Sequence, residues 1–397
     1  MRIAIIGAGL AGLTAAARLA QLMPDAAIEL VEKSRGFGGR MATRRLAASA
    51  LMTEALGTAS PDAEARQSVA LQFDHGAAYF TARDPAFRAW LEPFLAEGLV
   101  QPWPAQVLRQ HAGFPETAQG GSEKIQDPPA SETGLNRLKT GGSEKIQDPP
   151  RRYTACPGQS ALGRRLAEML PQQVRLHQPV QVGAVRKPGT GTTAERWQLV
   201  DTEGGHVTSA DAVICAIPAP QAAAVLPDNC VFQPDLAAVR MAPCLTLMLG
   251  LEAMPAMAFD AAFTEDPVIQ FIAINSRKPG RSTSQAENLS CLVSHADHGW
   301  SAARLDEDMA ETKALMLDAV RRLIGPDIGR LRYSALHRWR YAATPIPLSA
   351  SRDAAMLADE QTKLIAAGDW CLKGRVESAW QSGMAAAETL AGWFNRG

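Results

Sequence analysis

The chain has 397 residues, of which 46% are hydrophobic and 20% are charged, and its formal net charge is −1. This composition excludes an intrinsically disordered protein, and the length predicts two domains. Because no basic block is present, we expect neither nucleic acid nor an anionic membrane surface as a partner. The six cysteines are scattered without a C-x-x-C pair, which indicates reduced, mostly buried thiols and a cytoplasmic location.

The N-terminal sequence MRIAIIGAGLAGLTAAARLAQL predicts a strand, a glycine loop and a helix. Ile3–Ile6 is the short apolar run of a buried parallel strand, and Leu13–Leu22 is helical in composition. Between them, Gly7 makes a tight turn, Gly9 lets the backbone approach a pyrophosphate, and Gly12 allows close packing of helix on strand. The helix N-terminus then offers N–H groups to the phosphates. This arrangement predicts dinucleotide binding.

The same segment does not resemble a signal peptide. Three glycines and Arg18 interrupt the apolar run, and no convincing cleavage site follows. No other stretch is long enough to cross a bilayer, so we expect no membrane span.

A second predicted strand, Ile28–Val31, ends at Glu32. This acid follows the glycine loop by about 20 residues, where a carboxylate can hydrogen-bond an adenosine ribose. A second glycine motif at 189–194 lies between two strand-like runs and is followed by no helix. We interpret it as a hairpin loop, so any nicotinamide nucleotide would bind as a substrate in a cleft.

The segment KSRGFGGRMATRR continues from Glu32 with a second glycine-rich turn, made by Gly36, Gly38 and Gly39 and followed by Arg40. Together with FDHGAAYFTARD at 73–84, it resembles the amine-oxidase branch of the glutathione-reductase-like flavoproteins. Three further motifs in the same order resemble the bacterial renalase family: INSRKPGR at 274–281, HRWRYA at 337–342 and GDWCLKGRVESAWQSG at 368–383.

The resemblance implies an α/β fold, in which a glutathione-reductase-like FAD-binding Rossmann domain carries an inserted α+β substrate domain with an antiparallel sheet. The FAD-binding domain would comprise residues 1–84, 151–222 and 353–397, and the substrate domain 85–150 and 223–352. Residues 45–72 lengthen one connection. GGSEKIQDPP occurs twice, at 120–129 and 141–150, which predicts an exposed, disordered insertion at 116–150. A partner-binding epitope is the alternative interpretation of this insertion.

The resemblance also predicts which residues hold a non-covalent FAD. Asp369 would bind the ribityl chain, the backbone of Val180 would meet the adenine, and the helix beginning near Val376 would stabilise negative charge on the flavin. The full predicted set is Gly7, Gly9, Ala11, Gly12, Glu32, Gly39, Arg40, Ala78, Tyr79, Val180, Gly368, Asp369 and Val376. For Tyr79 and Val180, core packing is an equal alternative. Cys371 is predicted to pack in the core, with a covalent flavin bond as the alternative.

Renalases oxidise dihydronicotinamide dinucleotides reduced at ring carbon 2 or 6, passing hydride to flavin N5, and dioxygen is then reduced to hydrogen peroxide. This chemistry requires positioning more than a strong base. We expect His295 to orient the substrate, with Trp339 and Tyr341 as a cavity wall; structural roles are the alternatives. We interpret Lys278, in SRKPGR, as a solvated loop cation. The neighbours of His295 fit no metal-ligand spacing, so no metal is predicted.

Two other functions remain open from the sequence. One is oxidation of an amine or another small molecule on the same fold, since fold does not fix substrate. The other is a flavin-binding sensor or interaction module. The NAD or NADP form of the substrate and the oligomeric state also remain open.

Overall fold

The structure is a computed structural model that describes residues 1–47, 69–110, 151–187, 196–281 and 289–395. The duplicated segment at 116–150, the second glycine motif at 189–194 and most of the lengthened connection at 45–72 lie outside the described residues.

The strands are numbered in chain order. They are β1 (Arg2–Ile6), β2 (Ala27–Val31), β3 (Thr43–Ala47), β4 (Val69–Asp74), β5 (Phe80–Thr81), β6 (Val100–Pro102), β7 (Val107–Gln110), β8 (Arg152–Ala155), β9 (Val174–His177), β10 (Val182–Arg186), β11 (Trp197–Asp201), β12 (His206–Ala210), β13 (Ala212–Cys215), β14 (Arg240–Glu252), β15 (Ala261–Thr264), β16 (Ile269–Ile274), β17 (Leu289–Ala296), β18 (Arg330–Ile346), β19 (Met356–Asp359) and β20 (Leu364–Ala367). The helices are α1 (Leu10–Leu22), α2 (Pro85–Ala96), α3 (Ser160–Glu168), α4 (Ala219–Val225), α5 (Gln233–Ala238), α6 (His298–Ala303), α7 (Met309–Ile324) and α8 (Val376–Phe394).

A six-stranded sheet with the order β19-β20-β13-β1-β2-β9 carries the N-terminal glycine loop. Its strands are parallel except for the antiparallel pair of β19 and β20. Strand β1 is central because both of its faces are apolar: Ile3 and Ile5 pack into one core, and Ala4 and Ile6 pack into the other. The strands of this sheet come from near the beginning, the middle and the end of the chain.

A second six-stranded sheet has the order β18-β14-β17-β16-β15-β7 and is antiparallel except for the β15–β7 pair. On one face, Leu247 and Leu249 of β14 pack in a core that contains Met316 and Val320 of α7. On β14, Thr246 pairs with His295 of β17 on one side and with His337 of β18 on the other. The register therefore brings two distant histidines to neighbouring positions.

Three smaller sheets complete the fold, with orders β10-β11-β12, β3-β4 and β5-β8-β6. Strands β10 and β11 pair antiparallel. Within the parts of the chain that the structure describes, no helix combines the length and apolar character needed to cross a membrane.

Helix α8 packs directly on α1 through a position without a side chain. A Cβ atom at Gly383 would lie 2.3 Å from the carbonyl oxygen of Ala11, which is far inside van der Waals contact. The sequence places Ala379, Gly383 and Ala387 four residues apart on one helix face, and that spacing allows the close approach. The C-terminal helix is thereby fixed against the helix that begins at the glycine loop.

Candidate active site

A cavity of about 1370 Å³ lies between the carboxyl edge of the parallel sheet and one face of the antiparallel sheet. From the first sheet it is lined by Gly7, Glu32, Ala216 and Gly368, each of which directly follows a strand. The carboxyl edge of an open α/β sheet is where such folds bind nucleotides. The cavity is therefore the candidate active site.

The glycine loop between β1 and α1 has the predicted geometry. Gly7 adopts φ +100°, and a Cβ at Gly12 would lie 1.8 Å from the Gly7 carbonyl oxygen, so helix and strand touch here. At Gly9, by contrast, a Cβ would meet no atom within 4 Å. Gly7, Gly9 and Ala11 line the cavity. The loop thus leaves open space at Gly9, the position predicted to face a pyrophosphate.

The Glu32 carboxylate is fixed at the end of β2 by two backbone donors. The N–H of Ala8 donates to Oε2 and the N–H of Ser34 donates to Oε1, each at 2.7 Å. Lone pairs on both oxygens stay available for hydroxyl donors such as those of a ribose. The N–H of Val180 donates to the Glu32 carbonyl at 2.9 Å, and Val180 also lines the cavity. The structure therefore brings Glu32 and Val180 together.

The second glycine turn contacts the first. The N–H of Gly38 donates to the Ala8 carbonyl at 2.9 Å, and a Cβ at Gly39 would lie 3.3 Å from the Gly9 Cα. Beyond this turn the Arg40 guanidinium forms an ion pair with the Asp369 carboxylate, and both residues line the cavity. The sequence predicts each as a separate FAD contact, but the structure shows that they also bind each other.

The N-terminus of α8 faces the cavity through Val376 and Ala379. Arg375 occupies the N-cap position without a side-chain hydrogen bond to the helix. The positive end of this helix dipole is therefore directed at the cavity, where it favours negative charge. On the same turn, the buried Glu377 carboxylate accepts hydrogen bonds from the backbone of Arg83 and Asp84. These bonds connect α8 to the segment that contains Ala78.

Ala78 and Tyr79, which were predicted to contact FAD, line the cavity. The interpretation of Lys278 as a solvated loop cation is wrong. The Lys278 side chain is completely buried, and its Nζ donates to the Ala78 carbonyl at 2.7 Å and to Asp74 Oδ2 at 3.1 Å. Arg281 also binds Asp74. The pKa of Lys278 is lowered to about 8, mainly by burial and to a smaller extent by Arg281, while Asp74 opposes both. Lys278 is therefore a buried anchor beneath the cavity wall and not a solvated cation.

An aromatic cluster lines the cavity opposite the parallel sheet. The rings of His75 and Trp339 stack with centroids 5.4 Å apart, and His337 makes edge contacts with His75 at 4.8 Å and with Trp339 at 4.5 Å. The indole N–H of Trp339 donates to the His75 carbonyl at 2.8 Å. Burial, reinforced by His337, lowers the pKa of His75 to about 4, and burial also lowers the pKa of His337. Both imidazoles are therefore neutral at physiological pH.

Sequence reasoning missed His75 and His337, although both stand inside motifs that were recognised. Trp339 and Tyr341, which were predicted as a cavity wall, both line the cavity. The alternation along β18 identifies this pair. No spacing in the sequence relates His75 to His337, because they belong to segments that meet only in the folded chain.

His295 also lines the cavity, with its ring 5.5 Å from that of Phe271. Burial, with smaller contributions from Lys278 and His298, lowers the pKa of His295 to about 3. Its Nε2 atom is buried without a hydrogen-bond partner in the described part of the chain. Such an unsatisfied polar atom costs free energy in the empty protein and is typical of a ligand-binding position.

Two neighbours of His295, Asp297 and His298, each form a hydrogen bond with the backbone. The Asp297 carboxylate caps α6 by accepting from the Trp300 N–H at 2.9 Å. His298 Nδ1 lies 2.8 Å from the Pro243 carbonyl oxygen. Across the described ranges, no group of three or more His, Cys, Asp or Glu residues is placed to hold a metal ion.

Cys371 lies in a short 3₁₀ turn, Asp369–Cys371, and is completely buried. It is not among the residues that line the cavity. Burial raises the pKa of its thiol, which further suppresses the nucleophilic thiolate. These observations agree with the predicted packing role.

The residues around the cavity fit an FAD. The open space at Gly9 would receive the diphosphate, the fixed Glu32 carboxylate a ribose, and the N-terminus of α8 the pyrimidine end of the flavin. Arg40 and Asp369 stand between these positions. The fold and this cavity define the class of the protein: it is an FAD-dependent oxidoreductase.

Two family models match the chain. The model described as flavin containing amine oxidoreductase matches residues 105–391, well over half of the chain. The NAD(P)-binding Rossmann-like domain matches residues 5–94. The chain therefore belongs to the flavin containing amine oxidoreductase family, and its cofactor is FAD. These matches confirm the predicted cofactor and the oxidoreductase class.

Solved structures share the fold at low sequence identity. A putative protoporphyrinogen oxidase from an Exiguobacterium species has a TM-score of 0.67 at 14% identity, over 98% of both chains. Cyclohexylamine oxidase from Brevibacterium oxydans has a TM-score of 0.63 at 14% identity, over 100% of this chain and 99% of that chain. Reduced UDP-galactopyranose mutase has a TM-score of 0.65 at 12% identity, over 98% of this chain and 94% of that chain. These likenesses confirm the predicted fold class.

Proposed function

We propose that this protein is an oxidase of the renalase type, which converts the 2- and 6-dihydro isomers of NAD(P)H to NAD(P)⁺. In the overall reaction the dihydronicotinamide loses a hydride, and dioxygen takes up the two electrons with that hydrogen and one proton to give hydrogen peroxide. When bound, FAD supplies the hydride acceptor and the subsequent reaction with dioxygen.

The charge of the cavity carries this proposal. Among the described residues that line the cavity, the cations are Lys33, Arg35, Arg40, Arg45, Arg164 and Arg375, and the carboxylates are Glu32 and Asp369. Of these cations, Arg40 forms an ion pair with Asp369. Arg338 and Arg340 of β18 also reach the lining, but their guanidinium groups bind Glu307 and Asp306 away from the cavity. The excess of positive charge exceeds what the FAD diphosphate offsets. A cavity of this kind favours an anionic dinucleotide over a substrate that is itself a cation.

The polar groups of the cavity suit positioning more than proton removal. His75, His295 and His337 have lowered pKa values, so each is a neutral hydrogen-bonding group at pH 7. Loss of hydride from a dihydronicotinamide leaves an aromatic ring and requires no base. We propose that His295 orients the ring, while Trp339 and Tyr341, which lie across β14 in the same sheet, restrict its position.

The remaining assignments follow from the same site. We propose that FAD is bound without a covalent bond by the predicted residues, and that the chain divides into an FAD-binding domain at 1–84, 151–222 and 353–397 and a substrate domain at 85–150 and 223–352. The six free cysteines support a cytoplasmic location.

Oxidation of an amine is the second candidate function. Membership of the flavin containing amine oxidoreductase family favours it, and the aromatic pair Trp339 and Tyr341 could accommodate a substrate cation through its ring faces. The positive charge of the surrounding cavity opposes it.

The deciding experiment mixes the purified FAD-loaded protein anaerobically with each candidate substrate. We expect 2- or 6-dihydroNAD(P) to abolish the visible absorbance of the oxidised flavin promptly. Once air is admitted, the absorbance should return and a stoichiometric amount of hydrogen peroxide should form. Putrescine and cyclohexylamine are the comparison substrates. Loss of absorbance with an amine alone would replace the proposal with amine oxidation, and a flavin that responds to neither class would favour a sensor or binding module.

A further inference from the structure

Strand β16 contains a bulge at the cavity. Ile269 pairs with Ala296 and Phe271 pairs with His295. Two residue steps along β16 therefore lie opposite one step along β17, and Gln270 is the extra residue. Ile269 and Ile272 pack in the core on the α7 side, whereas Phe271 packs in the cluster that contains Ala78. The bulge therefore turns Gln270 toward the cavity, which it lines beside Phe271. Bulges commonly redirect a side chain in this way next to an active site.

The orientation of the Gln270 amide is fixed by its partners. Its Nε2 lies 2.9 Å from the Ala296 carbonyl oxygen and 3.3 Å from His298 Nε2. A carbonyl oxygen only accepts, so the NH₂ end of the amide must face Ala296. His298 Nδ1 lies 2.8 Å from the Pro243 carbonyl oxygen, which can only accept, so Nδ1 is a donor. His298 Nε2 is then an acceptor, which takes the second hydrogen of the Gln270 amide.

This chain of hydrogen bonds leaves the Gln270 carbonyl oxygen, Oε1, as the group available to a ligand. Both amide hydrogens are used, and no described residue donates to Oε1. A flip of the amide would oppose oxygen to oxygen at Ala296. The cavity therefore presents a fixed acceptor at this position, next to the strand that carries His295.

We propose that Gln270, held by His298, selects substrates with a primary carboxamide and discriminates against the corresponding carboxylate. The amide NH₂ of a dihydronicotinamide donates to Gln270 Oε1, whereas a nicotinic acid carboxylate would place oxygen against oxygen. This assignment rests on the proposed function, because it concerns the same substrate. Gln270 contacts the substrate directly, and His298 is a positioning residue that acts through it.

The test compares carboxamide and carboxylate dinucleotides in two assays. The first is the rate of anaerobic loss of flavin absorbance with 6-dihydroNAD and with its nicotinic acid counterpart. The second is equilibrium binding of NAD⁺ and of nicotinic acid adenine dinucleotide, followed by perturbation of the flavin spectrum. We expect the wild type to prefer the carboxamide roughly tenfold to hundredfold in both assays, since a site built for a donor rejects a ligand that lacks it.

Three variants assign the preference. Gln270→Met keeps the length of the side chain but removes the acceptor, and should reduce the preference to about threefold or less. His298→Asn can keep a donor to Pro243 but removes the acceptor that fixes the amide, so the preference should also fall. Gln221→Met is the matched control: Gln221 lines the cavity from α4, on the side of the parallel sheet, and the amide-to-acid ratio should stay at the wild-type value.

The outcomes separate the two proposals. Oxidation of both dihydro dinucleotides at equal rates would overturn the role of Gln270 while the proposed function stands. A preference that survives in both Gln270→Met and His298→Asn would also overturn it. If neither dinucleotide is oxidised, the proposed function fails, and only the binding assay then tests the role of Gln270. Equal affinity for the two oxidised dinucleotides, or no affinity for either, would refute that role.

Discussion

Removal of the buried Asp74 charge is the substitution that tests the packing of this protein most directly. Its side chain is completely buried and binds Lys278, Arg281, the Thr43 hydroxyl at 2.8 Å and the Gln159 N–H at 3.0 Å. The substitution Asp74→Asn keeps the size and one acceptor but removes the charge. Two buried cations then lack their counter-ion, which costs about 3–5 kcal/mol.

The size of the effect on Tm follows from the length of the chain. An unfolding entropy of about 2.1 cal/mol/K per residue over 397 residues amounts to roughly 0.8 kcal/mol/K. The loss therefore corresponds to a decrease in Tm of about 4–6 °C, measured by differential scanning calorimetry. The control Glu388→Gln breaks the exposed pair with Arg18 and should lower Tm by about 1 °C or less.

The pH dependence gives an independent check. Burial alone would raise the pKa of Asp74, but Lys278 and Arg281 overcome it and hold the pKa below its ordinary value. The stabilisation is then present above the unfolded pKa of about 3.9 and is lost as the pH falls through the folded pKa. The difference in Tm between wild type and Asp74→Asn should shrink below about pH 4.

Two results would refute this reasoning. One is a decrease in Tm for Asp74→Asn no larger than that for Glu388→Gln. The other concerns the double variant Asp74→Asn/Lys278→Met, which removes one of the stranded cations and should recover part of the lost Tm. A double variant less stable than Asp74→Asn would show that the cost does not arise from unpaired buried charge.

Three further predictions concern the cofactor and the cavity. Gly9→Ala should leave the Tm of the apoprotein within about 2 °C of wild type but reduce the FAD content of the purified protein at least tenfold, because a Cβ there meets no protein atom. Gly383→Ala should lower the apoprotein Tm itself, because its Cβ would meet a backbone oxygen. Equal apoprotein Tm values for the two variants would contradict this distinction. The tryptic peptide containing Cys371 should have its unmodified mass after denaturation, and a flavin-sized addition would contradict non-covalent binding. Since the pKa values of His75 and His295 are about 4 and about 3, neither imidazole should titrate in the kcat/KM profile between about pH 5 and pH 8, and an ionisation in that window that disappears in His75→Asn or His295→Asn would contradict their neutral state.

Local patterns predicted the parts of the site that are local in the chain. The strand, loop and helix at the N-terminus need only the spacing of three glycines and a short apolar run, and Glu32 lies at the end of the next strand. The structure begins α1 at Leu10 instead of the predicted Leu13, because Gly12 is helical while packed on Gly7.

The missed features depend on contacts between distant segments. Lys278 lies in a sequence rich in loop-forming residues, and nothing nearby shows that its partner Asp74 is 204 residues away. The position of Gln270 at the cavity depends on a bulge, which shifts the alternation of buried residues by one position. A short strand whose two faces are both largely apolar gives no periodic signal for such a shift.

The ion pair between Arg40 and Asp369 has a consequence for the order in which the working protein is made. The two residues are 329 positions apart, yet they close the same side of the FAD cavity. A chain emerging from the ribosome presents Gly9, Glu32 and Arg40 early, but Asp369 and the helix α8 that lines the cavity arrive with the final part of the chain. If FAD is held by the proposed residues, we expect its stable capture to be a late event in biosynthesis, and we expect a truncated chain that stops before Asp369 to retain less cofactor.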